Sequence, residues 1–271
     1  MEKASFFFII AMMCDSNVSF SSVSVLEHRQ IADGYFFMSF EYPSFFSRPR
    51  PGQFFTLRAG DSVVPLLRRP FAFSFFSNDK AGFIYQKRGR ATSNLAAMSA
   101  GEQIDIIAPL GNCFPMPSSV EYPVLLAGGV GLGPVLFFSS ELERQGISHT
   151  LIIGARNSSF IPEYKPSSLV SFFVCTDDGS AGFKGNVADL LLENMPPAGA
   201  ILYACGPNPM MKALHSIALD KGFMLWVSME QVMACGVGAC AGCVVPARGS
   251  YVRVCKDGPI FDSREIEWTS V

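Results

Sequence analysis

The stretch YPVLLAGGVGLGPVLFFSSELERQG, residues 122–146, decides the fold. Its first six residues form a short unbroken apolar run, the pattern of a parallel strand covered on both faces. Gly128, Gly129, Gly131, Gly133 and Pro134 then interrupt the run, and VLFFSSELERQG reads as a helix. Strand, glycine turn and helix bring a dinucleotide pyrophosphate against a helix N-terminus. The spacing is not G-x-G-x-x-G, so the turn by itself points to a ligand class without specifying it.

The unit recurs downstream. HTLIIGARN (149–157) and SFFVCTDDGS (171–180) read as further strands, and AILYACGPNPMMKAL (200–214) as strand, turn and helix. Buried strands alternating with helices over 119–224 predict a doubly wound parallel sheet, whose ligands sit beyond the carboxyl ends of its strands. Cys205, Gly206 and Pro207 form a second turn at such an end. Cys205 is open to two readings, a small buried residue or part of a turn that faces the ligand. Asp177 and Asp178 suit either a cofactor ribose or a solvated turn. Arg156 suits either a 2′-phosphate or the surface, which leaves NADH and NADPH both open.

Upstream, from 21 to 118, the pattern shortens into VSVLEH, GYFFMSFEY, GQFFTLRA, FAFSFFS, AGFIYQKRG and QIDIIAPLG. Gly, Pro, Asp and Asn punctuate these pieces at intervals of about ten residues, which predicts a small antiparallel barrel. Within it, LLRRPFAFS offers Arg69 beside Pro70, a positive fork on a stiff backbone that suits a diphosphate; a solvated turn arginine is the rival reading. Ile84, Tyr85 and Gln86 lead into GRATSNL, a turn into a short helix whose free N–H groups and Thr92 suit a phosphate.

At the other end, CGVGACAGCVVPARGSYVRVC, residues 235–255, spaces Cys235, Cys240 and Cys243 as C-x4-C-x2-C, with Cys255 eleven residues further on. Three thiolates so spaced curl around one side of a [2Fe–2S] cluster and a later cysteine closes the other iron. Structural zinc, a disulfide pair and unrelated thiols are the competing readings. Zinc favours two close pairs, and disulfide frameworks belong to small secreted domains. Cys14, Cys113 and Cys175 read as packing, and His28, His149 and His215 share no ligand spacing.

With 271 residues, 49% of them hydrophobic, the chain has material for two or three domains. A net charge of −2 provides no basic field for nucleic acid, and no apolar run reaches the roughly 18 residues of a transmembrane helix. Residues 1–20 read as an extension. Its SFFFIIAMMC lacks a small-x-small cleavage site, and a labile iron–sulfur centre suits a reducing cytoplasm.

RRPFAFS, GRATSNL, PLGNCF, AGGVGLGP, CGPNPMM and MEQVMACGVGACAGCVVPARGSYVRVCKDGPIFD together resemble the ferredoxin reductase-like flavoproteins, and most closely the dihydroorotate dehydrogenase B electron-transfer subunit family. The resemblance runs from about Val23 to the end of the chain. It implies an FAD-binding barrel (21–118), an NAD(H)-binding domain (119–224) and a [2Fe–2S] domain (225–271). Arg69, Pro70, Phe71 and Ala72 would occupy the flavin-binding R-P-x-S position, Ile84, Tyr85 and Gln86 would line the flavin, and Ala91 and Thr92 would meet the FAD phosphates. The turns at Gly128–Pro134 and Cys205–Pro207 would face the nicotinamide cofactor, with Cys205 beside the hydride path. Ala72 stands where the family's serine is usual, and Ala91 where G-x-G-T has its second glycine. The implied activity is electron transfer from NADH through FAD and the cluster to an FMN-containing dihydroorotate dehydrogenase catalytic subunit, in a heterotetramer. A reductase feeding another acceptor and a zinc-holding interaction protein are the alternatives.

Overall fold

The computed structural model describes residues 17–59 and 65–269. The first seven strands are β1 (Ser19–Ala32), β2 (Tyr35–Glu41), β3 (Phe54–Ala59), β4 (Arg69–Ala72), β5 (Phe75–Ser77), β6 (Lys80–Gln86) and β7 (Gln103–Leu110), with α1 (Arg90–Ala96) between the last two. They form one antiparallel sheet in the order β4-β3-β7-β1-β2-β6-β5. The long β1 shares itself between two partners: Ser19–Ser24 pair with β7 and Val25–Ala32 with β2. Register shifts after Val25 and Gln30 bend it, and the sheet curls into a half-barrel. Much of the chain's phenylalanine fills the inside. Phe40, Phe55, Phe73 and Phe83 are fully buried, with Phe55 centred 4.9 Å from Phe73 and 5.2 Å from Phe83 in tilted and edge-on contacts.

The second sheet holds β8 (Pro123–Gly128), β9 (His149–Ala155), β10 (Val170–Thr176), β11 (Phe183–Lys184), β12 (Ile201–Cys205) and β13 (Met224–Ser228). Later in the chain come β14 (Val244–Ala247), β15 (Ser250–Arg253) and β16 (Ile260–Asp262). The order is β11-β10-β9-β8-β12-β13-β16, parallel except for β16. Three helices, α2 (Leu132–Arg144), α3 (Val187–Glu193) and α4 (Asn208–Lys221), cover the two faces. The side chains of β8 explain how: Leu125 and Ala127 pack in the cluster that contains α2, while Val124 and Leu126 pack with α3 and α4. Such alternation in an all-apolar strand requires cover on both sides.

The chain leaves β8 toward β9 and later returns to β8's other side as β12, so the order reverses between these two strands. Their carboxyl ends define the crevice in which such sheets take ligands. The cysteine-bearing chain is an excursion from this same sheet. It departs after β13, forms the hairpin β14–β15 and returns as β16 beside β13. The sequence division at residue 225 therefore falls within a strand that pairs with β12. Residues 1–16 of the N-terminal extension lie outside the described residues, and Ser19 and Phe20 already belong to β1. Among the described residues no helix is long and apolar enough to cross a membrane.

Candidate functional site

Where the half-barrel meets the second sheet lies a cleft of about 240 Å³. One wall comes from β4 and β6: Pro70, Phe71 and Ala72, then Ile84, Tyr85 and Gln86, with Arg88 and Thr92 at the end. The other wall comes from the strand ends of the second sheet, Val130, Gly131, Pro134, Cys205 and Ser228. Met229, Glu230, Gln231, Met233 and Pro259, flanking the cysteine loop, close the third side.

Alternation decides which atoms each strand presents. Ile84 packs toward the second domain, whereas the Tyr85 ring turns into the barrel against Phe71 and Phe83. Tyr85 therefore offers the cleft its backbone, and its hydroxyl pairs with His28 Nε2 at 2.9 Å. The other nitrogen of His28 meets the Met98 carbonyl at 2.8 Å, which satisfies a histidine to which the sequence pattern assigns no role. Among the described residues β4 pairs only with β3, so the outer edge of Arg69–Ala72 carries main-chain groups suited to the polar rim of a planar ligand.

Arg69, Ala91, Gly128, Gly133, Gly206 and Pro207 do not line this cleft, and Thr92 does so while serving its own turn. Arg69 turns its guanidinium onto the Leu67 carbonyl, and with Ala91 it lines a separate small hollow. The Thr92 hydroxyl accepts from the backbone of Arg88 (2.9 Å) and Gly89 (3.0 Å), so it caps α1. Gly133 lies under Ser74 and Ile84, and Gly128 and Gly206 both pack on Met210. Pro207 precedes α4 as its N-cap. A Cβ on Gly131 would collide with the Cys205 carbonyl, which brings the two glycine turns into van der Waals contact at the switch point.

Burial pushes the Cys205 thiol up to about 12; a hydrogen bond with Ser228 opposes this and the Glu230 carboxylate adds to it. Burial thus favours the neutral thiol of Cys205. Arg156 sits over the Phe160 ring at 5.0 Å, and Phe160 meets Tyr35 edge-on. Asp178 binds its own turn, accepting from Ser180 N (2.9 Å) and Oγ (2.6 Å).

In the cysteine loop every sulfur receives a backbone N–H. Cys240 N points to Cys235 Sγ (3.4 Å), Gly242 N to Cys240 Sγ (3.4 Å), Cys255 N to Cys243 Sγ (3.4 Å) and Gly238 N to Cys255 Sγ (3.1 Å). Positive φ at Gly236 (71°), Gly238 (83°) and Ala241 (53°) turns these amides inward. Burial would push the Cys235 thiol up, but N–H groups of Cys240, Val237 and Ala239 and the Cys240 side chain bring it down to about 6. Burial and the neighbouring Cys243 push Cys255 up to about 12. Amides aimed at four sulfurs are the environment an anionic thiolate-bound cluster needs, so the donor set fits an iron–sulfur group.

A family model described as the iron–sulfur cluster binding domain of dihydroorotate dehydrogenase B matches residues 230–267. A protein of Caldanaerobacter subterraneus subsp. tengcongensis named dihydroorotate dehydrogenase B (NAD(+)), electron transfer subunit, is 36% identical over 246 residues, spanning 89% of this chain and 96% of that protein. The chain belongs to the dihydroorotate dehydrogenase B electron-transfer subunit family. A Bacillus pumilus member of the family is 35% identical over 90% of this chain and 96% of its own. Among solved structures, an NADH-dependent reduced ferredoxin-NADP oxidoreductase superposes with TM-score 0.79 and 29% identity, covering 91% of this chain and 90% of its own. The ferredoxin reductase of carbazole 1,9a-dioxygenase, at 19% identity and TM-score 0.66 over 76% of this chain and 67% of its own, shares the fold.

Sequence reasoning missed Gly52, Phe54, Arg88, Val130, Ser228, Met229, Glu230, Gln231, Met233 and Pro259 as cleft residues. The structure shows what brings many of them there: parallel pairing of β12 with β13 sets Cys205 opposite Ser228. That pairing carries the following residues into the same cleft.

Proposed function

We propose that the chain carries electrons between NAD(H) and the FMN of a dihydroorotate dehydrogenase catalytic subunit by way of FAD and a [2Fe–2S] cluster. In this reading residues 21–118 hold the flavin, 119–224 the nicotinamide nucleotide and 225–271 the cluster. A flavin, when bound, exchanges electrons in pairs with a nicotinamide and singly with an iron–sulfur centre. The protein's work is placement. Pro70, Ala72, Ile84 and Gln86 form the flavin-side wall, and Gly131, Pro134 and Cys205 form the side reached from the switch point. The neutral Cys205 thiol and Ser228 fill the nicotinamide end without offering a competing base. Cys235, Cys240, Cys243 and Cys255 hold the cluster, and the amides on their sulfurs stabilise its negative charge.

One observation carries the proposal. Met233 and Pro259 line the cleft, while Cys235 lies two positions beyond the first (233 to 235) and Cys255 four before the second (255 to 259). Both chain segments thus run directly from flavin site to cluster ligand. Within the cysteine loop Cys240 and Val237 are exposed, and the catalytic subunit would dock on this loop, in a cytoplasmic heterotetramer. A second reading, a subunit of an electron-bifurcating complex, is favoured by the 29% identical oxidoreductase, though the 36% identical relatives weigh toward the first.

The test is to purify the chain anaerobically, determine flavin, iron and sulfide, add NADH, and then add the dihydroorotate-oxidising subunit. Orotate reduction that requires both proteins, and that Cys243→Ala abolishes, is the expected result. Absence of iron, or rapid transfer to ferredoxin with none to the dihydroorotate enzyme, refutes it.

A further inference from the structure

Asn112 follows the last strand of the half-barrel, yet its side chain is bound to a segment 148 residues further on. Nδ2 donates to the Ile260 carbonyl at 2.8 Å and to the Asp257 carbonyl at 3.3 Å, and Oδ1 accepts from Ile260 N at 2.8 Å. The backbone N–H of Asn112 donates to the Gly258 carbonyl at 2.8 Å. The carboxamide therefore pairs with Ile260 as a neighbouring strand would, using a donor and an acceptor at once. The surroundings are tight: a Cβ on Gly111 would meet Pro259 Cδ at 2.5 Å, and one on Gly52 would meet Ile260 Cγ1 at 2.9 Å.

The clamped segment is the one that joins cluster to cleft. Cys255 precedes it, Pro259 in its middle lines the cleft, and Met229 N donates to the Pro259 carbonyl at 2.9 Å. Asp257 is held further by Arg253, whose Nη1 donates to the Gly238 carbonyl at 3.0 Å inside the cysteine loop. A line of hydrogen bonds thus runs from the barrel through Asn112 to the backbone that feeds Cys255. No metal-ligating or nucleophilic chemistry is available to a carboxamide so engaged.

We propose that Asn112 is a positioning residue that sets the separation between the flavin cleft and the cluster, and so the rate at which electrons pass between them. The inference rests on the electron-transfer reading above. Without the carboxamide, residues 257–260 stay bound to β13 and to Arg253, but their hydrogen bonding to the half-barrel falls to the one bond from the Asn112 backbone, so the segment between Cys255 and Pro259 is tied to the barrel less firmly. Electron transfer between two fixed centres falls off exponentially with their separation, so even a small outward shift of the cysteine loop slows it.

The test uses the full chain with its flavin and cluster, in the variants Asn112→Ala and Asn112→Asp. The second substitution is nearly isosteric but sets a carboxylate against two carbonyl oxygens. After rapid mixing with NADH, flavin bleaching and cluster bleaching are followed at separate wavelengths. The expected result is unchanged flavin reduction, unchanged iron content and cluster reduction slowed several-fold relative to flavin reduction. Independently, hydrogen exchange at the Ile260 amide, measured without NADH, accelerates by about tenfold or more in Asn112→Ala, which removes its acceptor. Cluster reduction that keeps pace with the natural chain in both variants, or that slows only in proportion to flavin reduction, overturns the proposal. So do loss of iron from both variants and an unchanged Ile260 exchange rate. Failure of NADH to reduce the flavin of the natural chain would instead sink the underlying functional reading, while the exchange measurement would still report on the clamp.

Discussion

Gly131 and Cys205 touch at the point where the second sheet reverses its strand order: a Cβ on the glycine would overlap the cysteine's carbonyl carbon and oxygen. β8 and β12 are hydrogen-bonded neighbours, so the turns that leave them must pass each other within one side-chain diameter. Gly131→Ala forces them apart. Overpacking of this kind costs about 1–3 kcal/mol, and here the strain falls where the nicotinamide nucleotide is proposed to lie. The expected outcome is a lower unfolding midpoint and weaker NADH binding by titration, with iron content unaltered.

Thr92 connects a sequence expectation to a different physical role. Its hydroxyl accepts two backbone N–H groups at the start of α1 and donates to the Gly89 carbonyl at 3.0 Å. Thr92→Ala removes the cap, which is worth about 1 kcal/mol, and frees the turn that carries Arg88 at the cleft. Thr92→Ser keeps the hydroxyl. Denaturant unfolding should show the loss in the alanine variant and near-recovery in the serine variant, with FAD affinity following the same order.

Much of this architecture is local in sequence and therefore legible. The apolar run before Gly128 fixes a two-faced strand, and the C-x4-C-x2-C spacing with a later cysteine is a sequence mark of an iron–sulfur loop. What escaped was set by pairing between distant segments. Glu230 and Met233 enter the cleft only because β13 lies beside β12, and Pro259 only because β16 returns to β13. Tyr85 shows the opposite case: strand alternation alone puts its ring inside the barrel with Phe83, so its neighbours Ile84 and Gln86 face outward.

One buried and one half-buried histidine give the fold an acid limit. His149 is fully buried, with Nδ1 bound to the Ile147 carbonyl at 3.0 Å and Nε2 to Ser139 Oγ at 2.7 Å. A carbonyl only accepts, so Nδ1 carries the proton and Nε2 accepts from the serine. Burial lowers the pKa of His149 below the ordinary 6.5, against opposing effects of Ile147 and Glu143; burial also lowers that of His215. The unfolded chain then binds more protons than the folded one as pH falls through 6.5, so stability is complete above that value and declines below it. Thermal unfolding midpoints should hold level from pH 8 to about 6.5 and drop toward pH 5. In His149→Gln the drop should be shallower; an equal slope in both proteins would rule out this origin.

Tyr251 offers a way to separate electron entry from electron exit. In β15 it alternates onto the same face as Arg253, whose guanidinium reaches the Gly238 carbonyl in the cysteine loop at 3.0 Å. Its ring is 70% exposed, and Val237 within that loop is 43% exposed. An aromatic residue that stands in water beside a cluster loop is what a docking partner buries, and such anchors carry most of an interface's energy. Tyr251→Glu adds a charge there and touches neither cleft nor cysteine. Reduction of a soluble dye by NADH should therefore be unchanged, while the Kd for the dihydroorotate-oxidising subunit rises at least about tenfold, equivalent to about 1.4 kcal/mol. Coupled orotate reduction would fall at low partner concentration and recover at high concentration. A loss that excess partner does not restore would place Tyr251 inside the electron path instead of on the docking face.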